Sequence, residues 1–248
     1  MADSLRRPVV RSPKTSEVIA RDLAARIAEG GLAPGSRLPV ERVMLESLGV
    51  GRTTLREALR LLETRGVLTI RAGPKGGPVV RRPSAEDFGD ALALILQFEG
   101  ASLSDVIEAR NALEPMLARL AAPRIDAEQA ADLQLTVDEI LADLEDHDVF
   151  TEQNHRFHAG VARAAGSVVL RVLLETLKSI ADGTTVGVEY TPRRRRAVAA
   201  AHQAVIDRLA AGDAEGSAQA MRRHLTEAAH YWRSRYPALY DSPVRWLG

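Results

Sequence analysis

The spacing of hydrophobic and polar residues in the first third of the chain predicts a helical unit that ends in a hairpin. Ile19, Leu23 and Ile27 recur every four positions, which is typical of one buried face of a helix. Three helices are predicted, at 16–29, 40–48 and 52–65, followed by two β-type runs, at 67–71 and 79–82. Because the loop between the two runs is rich in glycine and proline, we expect it to form a hairpin tip. Three helices and a hairpin are the outline of a winged helix-turn-helix.

Beyond Pro83 the pattern changes to one helix after another. The predicted helices are 85–99, 103–121, 126–147, 149–165, 167–184, 193–211 and 213–236. No segment here keeps a period of two for long, so this part is predicted to be an all-α bundle of six or seven helices. The fold class expected for the whole chain is therefore mainly α.

The net charge of zero conceals a division between these two parts. Residues 1–83 hold 16 basic and 8 acidic side chains, whereas residues 84–248 hold 17 basic and 25 acidic ones. Such an asymmetry indicates two domains with different partners, of which the basic one faces phosphate. The predicted organisation is a mobile arm at 1–14, a basic winged helix-turn-helix domain at 15–83, an all-helical domain at 84–236, and a tail at 237–248.

The composition also excludes several kinds of protein. There is no cysteine, so neither disulfides nor a cysteine-ligated zinc ion stabilises the fold. No apolar run reaches the ~20 residues that span a bilayer, and the first residues lack an apolar stretch of signal-peptide length. We therefore expect a cytoplasmic protein with no membrane partner.

The helix predicted at 52–65 has the chemistry of a DNA-reading helix. Its apolar residues fall on one face, while Arg52, Thr53 and Arg56 fall on the other together with Arg60. Arginine offers a bidentate fork to guanine, and threonine hydroxyls suit phosphate or base contacts. An ordinary amphipathic surface helix is the alternative, and the predicted turn before it, the wing after it and the basic balance argue against that alternative.

Three of the six histidines have the spacing of metal ligands. His202 and His224 flank a turn at 211–213, each ten to twelve residues away, so they reach a similar height on neighbouring antiparallel helices. Asn154 and His158 share one face of an earlier helix at i, i+4. An amide oxygen and three imidazoles suit a divalent ion such as Zn²⁺ or Ni²⁺. A lone helical histidine is more often an ordinary core or surface residue, and a catalytic zinc in a hydrolase or lyase is a further alternative.

The first third of the chain resembles the GntR family of regulators. The matching segments are Gly-Ser-Arg-Leu-Pro-Val-Glu-Arg at 35–42 and Leu-Gly-Val-Gly-Arg-Thr-Thr-Leu-Arg-Glu-Ala-Leu at 48–59. The resemblance implies a homodimer that binds a palindromic operator in double-stranded DNA. By resemblance, the DNA contacts are Arg42, Arg52, Thr53, Thr54 and Arg56, with Gly73 in the wing. Val40 and Gly51 depart from the family pattern because each stands where serine is common, which removes two helix N-caps.

The remainder resembles the FCD domain of the FadR-like branch of that family. The resemblance rests on Arg-Asn-Ala-Leu-Glu-Pro at 110–115, Asn-His-Arg-Phe-His at 154–158, and the two later histidines, which lie 22 residues apart. It implies a divalent metal held by Asn154, His158, His202 and His224, and a small carboxylate effector near it. Asn154 stands where the family often has aspartate, which should weaken metal affinity. Arg110 is the candidate for pairing with the effector, and a salt bridge to Glu114 is the alternative.

These resemblances favour a repressor that the effector releases from DNA, although the sequence does not fix the sign of the response. A metal-free regulator that responds to an acyl-CoA-like ligand is an alternative. The acidic run at 138–148 and the arginine run at 193–196 are interpreted as solvated helix surface, and His155 is interpreted as a structural residue.

Overall fold

The structure, a computed structural model, describes residues 14–73, 76–182 and 187–246. The chain forms two compact units that divide between Asp87 and Phe88. The predicted arm up to residue 13, the tip of the wing at 74–75, the last two residues of the helix predicted at 167–184 and the end of the tail at 247–248 lie outside the described residues. The described part of that predicted helix ends at Ile180.

The first unit consists of three helices and a two-stranded hairpin. The elements are α1 (Thr15–Glu29), α2 (Glu41–Leu48), α3 (Arg52–Thr64), β1 (Leu68–Arg71) and β2 (Gly77–Val80). The strands are antiparallel, with Leu68 opposite Val80 and Arg71 opposite Gly77. Between α2 and α3 the chain turns at Gly49, whose φ of 64° lies in the left-handed region that glycine adopts without strain.

One hydrophobic core holds this unit together. Leu55, Ala58 and Leu62 on α3 are almost fully buried and pack with Leu23 of α1 and Leu68 of β1. The apolar spacing on α3 thus places one face of the helix inside and leaves the other face to solvent.

The second unit is entirely helical within the described residues. Its elements are α4 (Ala85–Glu99, which spans the division), α5 (Leu103–Ala121), α6 (Ala127–Ala142), α7 (His147–Ala164), α8 (Val168–Ile180), α9 (Pro192–Ala210), α10 (Ala214–Arg235) and the short α11 (Pro237–Tyr240). Helices α4 to α10 each have 13 or more residues, whereas α11 has four. The predicted mainly α fold, with a winged helix-turn-helix and an all-α second part, is confirmed. In the part of the chain that the structure describes, no helix has the length and apolarity needed to cross a membrane.

The core of the bundle lies among α5, α6, α7, α9 and α10. Phe157, Leu117 and Met221 are fully buried there, and Ile140 and Val205 complete its centre. A second cluster, around Trp232, Val106 and Val188, joins α4, α5 and α10 to the residues that follow α11. The histidines discussed below therefore sit on helices fixed by packing on both sides.

Two segments that were predicted to be solvated helix surface, at 138–148 and 193–196, differ in the structure. The helix predicted at 126–147 ends at Ala142, because Asp143 accepts hydrogen bonds from the Glu145 and Asp146 amides and turns the chain. Asp146 then caps α7, so the acidic run is partly a loop with a capping role rather than one helix face.

The arginine run at 193–196 is also not uniformly solvated. Arg195 is only 6% exposed, donates to the main-chain oxygen of Leu144 at 3.0 Å and lies over the Phe150 ring. It therefore fixes the loop between α6 and α7 to the start of α9.

The described part of the predicted tail packs against the bundle. After α11, the Leu103 amide donates to the Ser242 oxygen and the Val244 amide donates to the Ala101 oxygen, both at 2.9 Å. These bonds attach the end of the chain to the start of α5.

Candidate functional site

The exposed face of α3 carries the predicted DNA-reading side chains. Arg52, Thr53 and Arg56 are exposed, whereas Thr54 is half-buried. Arg42, on α2, is also exposed and pairs with Glu46 at 2.9 Å. Such a surface pair contributes little to stability, so a DNA phosphate can compete for this guanidinium. Gly73 lies at the end of the hairpin with a φ of 99°, a conformation that favours glycine.

His158, His202 and His224 lie together in the interior of the second unit. They project from α7, α9 and α10, and one ring nitrogen from each lies within 4.8 Å of the other two. All three are buried, with exposures of 3%, 0% and 5%. The structure thus brings His158 next to His202 and His224, the pair that helical rise predicted at a similar height.

The distances between the rings fit a tetrahedral ion. His158 Nε2 lies 3.4 Å from His224 Nε2. Two nitrogen ligands at about 2.0–2.1 Å from one zinc ion are separated by about 3.4 Å when the geometry is tetrahedral. The same distance suits only a long, weak hydrogen bond.

His202 supplies the most direct test of whether the residues fit a metal. Neither of its ring nitrogens has a hydrogen-bond partner among the described residues, although the side chain is fully buried. An unpaired buried polar atom is costly, and a metal ligand would remove that cost. The ring of Phe157 stacks on His202 with centroids 3.7 Å apart, which holds the imidazole in place.

Glu114 on α5 contacts the nitrogen of His158 that faces away from the other two imidazoles, and so orients the His158 ring. Its side chain is 2% exposed and accepts a hydrogen bond from His158 Nδ1, which leaves Nε2 directed at the other two rings. A carboxylate behind a ligating histidine is the usual arrangement at metal sites. Burial raises the pKa of Glu114, but the adjacent His158 and Arg110 outweigh burial and hold that pKa well below its ordinary value.

Burial keeps the other two imidazoles neutral. It lowers the pKa of His224 to about 3, with a smaller effect from His158. It also lowers the pKa of His202 well below the ordinary value, and neighbouring His224 adds to this. Burial lowers the pKa of His158 as well, although Glu114 acts in the opposite direction. Since a neutral imidazole is the form that binds metal, the cluster is in its ligating state at neutral pH.

A cavity of about 80 Å³, measured as room for the centres of water-sized molecules, opens beside the cluster. About 10–15 Å³ on that measure holds one water, so the cavity holds a small molecule. Asn154, one turn before His158 on α7, lines it, as do His158 and His224. The structure thus places Asn154 beside the cluster.

Arg110 lines the same cavity and is also engaged with Glu114. Its Nη2 and Nε lie 2.8 and 2.9 Å from Glu114 Oε1. Arg110 thus forms the salt bridge to Glu114 and also lines the cavity.

Some residues of the site were not identified from the sequence. The sequence patterns relate Glu114 only to Arg110, and they do not mark Lys178 or Tyr190, which lie at the cavity wall. His155, interpreted as structural, also lines the cavity and lies 3.6 Å from Asp182. The i, i+4 spacing of Arg110 and Glu114 is the one sequence pattern that could have identified Glu114. Lys178 lies on α8, which carries no recognisable motif.

Comparison with known proteins matches both parts of the chain. Residues 15–75 match the family described as "Bacterial regulatory proteins, gntR family", and residues 105–227 match the FCD domain. A solved structure described as "Streptococcus agalactiae GntR" is similar with a TM-score of 0.71 and 27% identity, covering 86% of this chain and 98% of that one.

Two curated relatives come from Escherichia coli (strain K12). The "Putative L-lactate dehydrogenase operon regulatory protein" is 33% identical over 229 residues, covering 88% of this chain and 86% of the relative. The "Galactonate operon transcriptional repressor" is 28% identical over 170 residues, covering 67% of this chain and 73% of the relative. These relatives are regulators, so the hydrolase or lyase that three histidines would also allow is not the function of this chain.

The winged helix-turn-helix, the FCD domain and the extent of the similarity lead to one conclusion: the chain belongs to the GntR family of DNA-binding transcription regulators, in the group that carries an FCD domain.

Proposed function

We propose that this protein is a cytoplasmic repressor that binds its operator as a homodimer and is released by a small organic acid bound beside a divalent metal. The observation that carries the proposal is the convergence of three buried, neutral imidazoles at the wall of a small cavity that also holds Arg110. One domain thus has the elements of a sensor, and the other has those of a DNA reader.

In this proposal His158, His202, His224 and Asn154 hold the metal, with zinc or nickel the best match to nitrogen and amide-oxygen ligands. The bound ion supplies a positive charge that attracts a carboxylate oxygen. Glu114 fixes the His158 ring, and Arg110 faces the same cavity. All four ligands are neutral, so the ion's charge remains available to an anion.

Residues 15–83 read the DNA, and residues 84–236 bind the effector and pair the two copies. Arg52, Thr53, Thr54 and Arg56 contact bases or phosphates in the major groove, Arg42 contacts phosphate, and the wing at Gly73 reaches the neighbouring groove. Two copies place two such helices on the halves of a palindrome. Effector binding favours a different arrangement of the two DNA-binding domains and so changes operator affinity.

The names of the two Escherichia coli relatives suggest which acids to test. One refers to an L-lactate dehydrogenase operon and another to a galactonate operon, and both names involve small hydroxy acids. We propose the same class of effector here, since the cavity is small and its wall carries Arg110.

The metal is tested by elemental analysis of the purified protein. We expect about one zinc or nickel ion per chain, lost in His202→Ala and His224→Ala but retained in His230→Ala, which removes an exposed histidine of the same domain. Equal metal content in all four proteins would contradict the ligand set. An absence of metal in the wild type would favour the metal-free alternative.

The effector is tested by thermal unfolding of the metal-loaded protein with L-lactate, pyruvate, D-galactonate and succinate. Binding to the folded state raises the melting temperature in a concentration-dependent way. We expect a shift with L-lactate or D-galactonate, and none with sodium chloride at the same ionic strength; pyruvate and succinate are the comparison acids without a hydroxyl group. No shift with either hydroxy acid would contradict the proposed effector class.

A further inference from the structure

A lysine that no motif marks lies at the wall of the effector cavity. Lys178, near the end of α8, lines the cavity together with Arg110 and Asn154. Its Nζ donates to the main-chain oxygen of His155 at 3.1 Å. Within the described ranges it forms no ion pair, so its charge is not matched by an adjacent carboxylate.

Arg110 is in the opposite situation. Its Nη2 and Nε both contact Glu114 Oε1, and the Glu114 side chain is almost fully buried. The Arg110 charge is therefore largely neutralised within the protein, and a ligand carboxylate there would compete with Glu114. Of the two cations at the cavity, Lys178 is the one that gains more from an added anion.

The electrostatic surroundings of Lys178 also favour an added anion. Burial, followed by the repulsion of Arg110, lowers the pKa of Lys178 to about 8, although Glu114, Asp182 and Glu175 favour its charged form. Of these carboxylates, Glu114 pairs with Arg110, Glu175 with Arg171, and Asp182 lies near His155. An anion in the cavity would offset both burial and repulsion.

We infer that Lys178 is the principal side-chain counter-ion for the effector's carboxylate, which the metal also attracts, and that Arg110, held by Glu114, is part of the cavity wall that positions the effector. This role rests on the proposed function, because it assumes a carboxylate effector in this cavity. It predicts that an acid binds more tightly than its uncharged amide, since the amide cannot neutralise the ammonium group.

The test compares four proteins: the wild type, Lys178→Met, Lys178→Arg and Arg171→Met. The methionine variant removes the charge but keeps an unbranched side chain, and the arginine variant keeps the charge. Arg171→Met is the matched control, since it removes a cation from the same helix at a position that pairs with Glu175 and does not line the cavity. Metal content and melting temperature establish that each variant is folded and loaded.

Affinity is measured by calorimetry with L-lactate, pyruvate, D-galactonate and succinate, and with L-lactamide as the uncharged counterpart of lactate. We expect at least about a tenfold loss for every binding acid in Lys178→Met, partial recovery in Lys178→Arg and no change in Arg171→Met. We also expect the wild type to bind L-lactamide at least tenfold more weakly than lactate if lactate is among the acids that bind.

Unchanged acid affinity in Lys178→Met would overturn this role while leaving the carboxylate effector intact. Equal binding of an acid and its amide by the wild type would overturn it without the need for any variant. If the wild type binds none of the acids, the carboxylate effector fails, and the role of Lys178 fails with it.

Discussion

At the scale of single residues, some buried polar side chains of the site are paired with one another, whereas others lack a full set of partners. Glu114 contacts both Arg110 and His158, so three charged or chargeable side chains are matched in the interior. His202 and Lys178 are less completely matched, because the His202 nitrogens lack partners within the described part of the chain and Lys178 bonds only a main-chain oxygen there. Incompletely satisfied buried groups are where a ligand contributes most to binding.

Glu114→Gln tests whether the carboxylate behind His158 tunes the metal. The amide still fits the space but no longer strengthens the imidazole as a ligand. We expect a 10- to 100-fold loss of zinc affinity, on the order typical of such partners, measured by competition with a chromophoric chelator. Glu139→Gln, at an exposed carboxylate that pairs with Arg156, is the control. Equal zinc affinity in wild type and Glu114→Gln would show that the carboxylate has no such effect.

Lys178 also makes stability depend on pH in a defined direction. Its pKa is about 8 in the folded protein and 10.5 in its ordinary state, so both states are charged below pH 8. Between pH 8 and 10.5 the unfolded state binds more protons, and the free energy of unfolding therefore rises with pH. Lys178→Met lacks this contribution.

We expect the difference in unfolding free energy between wild type and Lys178→Met to move in favour of the wild type from pH 8 to pH 10.5, by an amount on the order of 3 kcal/mol. Urea unfolding at several pH values measures it. A difference that stays constant with pH would mean that Lys178 has an ordinary pKa in the folded protein.

How much the sequence predicts at this scale depends on whether a local spacing rule or a family motif relates the residues. Helical rise relates His202 to His224 and the i, i+4 rule relates Asn154 to His158, whereas the joining of these two pairs into one site rests on the resemblance to the FCD domain. No such rule or motif identifies Lys178, because its approach to the cavity depends on how α8 packs against α5 and α7. No local pattern encodes that packing.

At the scale of elements, a capping side chain marks the start of each helix from α5 to α10. Ser102, Asp126, Thr191 and Asp213 each accept a main-chain hydrogen bond at the start of a helix. The error at residues 143–147 has the same origin: aspartates that look like helix surface instead bond the backbone, which is the competition that short polar side chains offer to a helix. Periodicity alone does not distinguish these roles.

Helix α2 begins without such a cap. Val40 is at its N-cap position with φ −60° and ψ 150°, makes no side-chain cap and is 67% exposed. Val40→Ser supplies a hydroxyl in a suitable conformation, and Val40→Ala removes the same methyl groups without supplying it. We expect the serine variant to stabilise α2 by about 1 kcal/mol over the alanine variant.

This difference is measured by hydrogen exchange of the α2 amides, which should be about fivefold slower in Val40→Ser than in Val40→Ala. Equal exchange in the two variants would show that the hydroxyl does not cap the helix. Exchange in α9, in the other unit, should be the same in both proteins.

At the scale of the whole molecule, the change from basic to acidic composition lies close to the division of the chain into two units. The basic residues 1–83 include the exposed arginines of α2 and α3, and the acidic remainder contains the histidine cluster and its cavity. The net charge of the whole chain therefore says little about DNA binding, whereas the charge of the first part is informative.

Arg52→Ala tests base reading by α3. We expect specific binding to DNA from the region upstream of the protein's own gene to weaken by about 1–3 kcal/mol, with a smaller loss on unrelated DNA. Arg21→Ala, at an exposed arginine of α1, is the matched control. Equal losses on both DNAs would indicate that Arg52 contacts phosphate rather than bases.

The central claim is that an acid bound beside the histidine cluster controls DNA binding. The most direct measurement is fluorescence anisotropy of labelled upstream DNA with the zinc-loaded protein at fixed salt, with and without each acid. We expect at least one acid to weaken operator binding by about 5- to 150-fold, and His202→Ala to bind DNA without this response. Operator binding that no acid changes, or a response that survives in His202→Ala, would contradict the account.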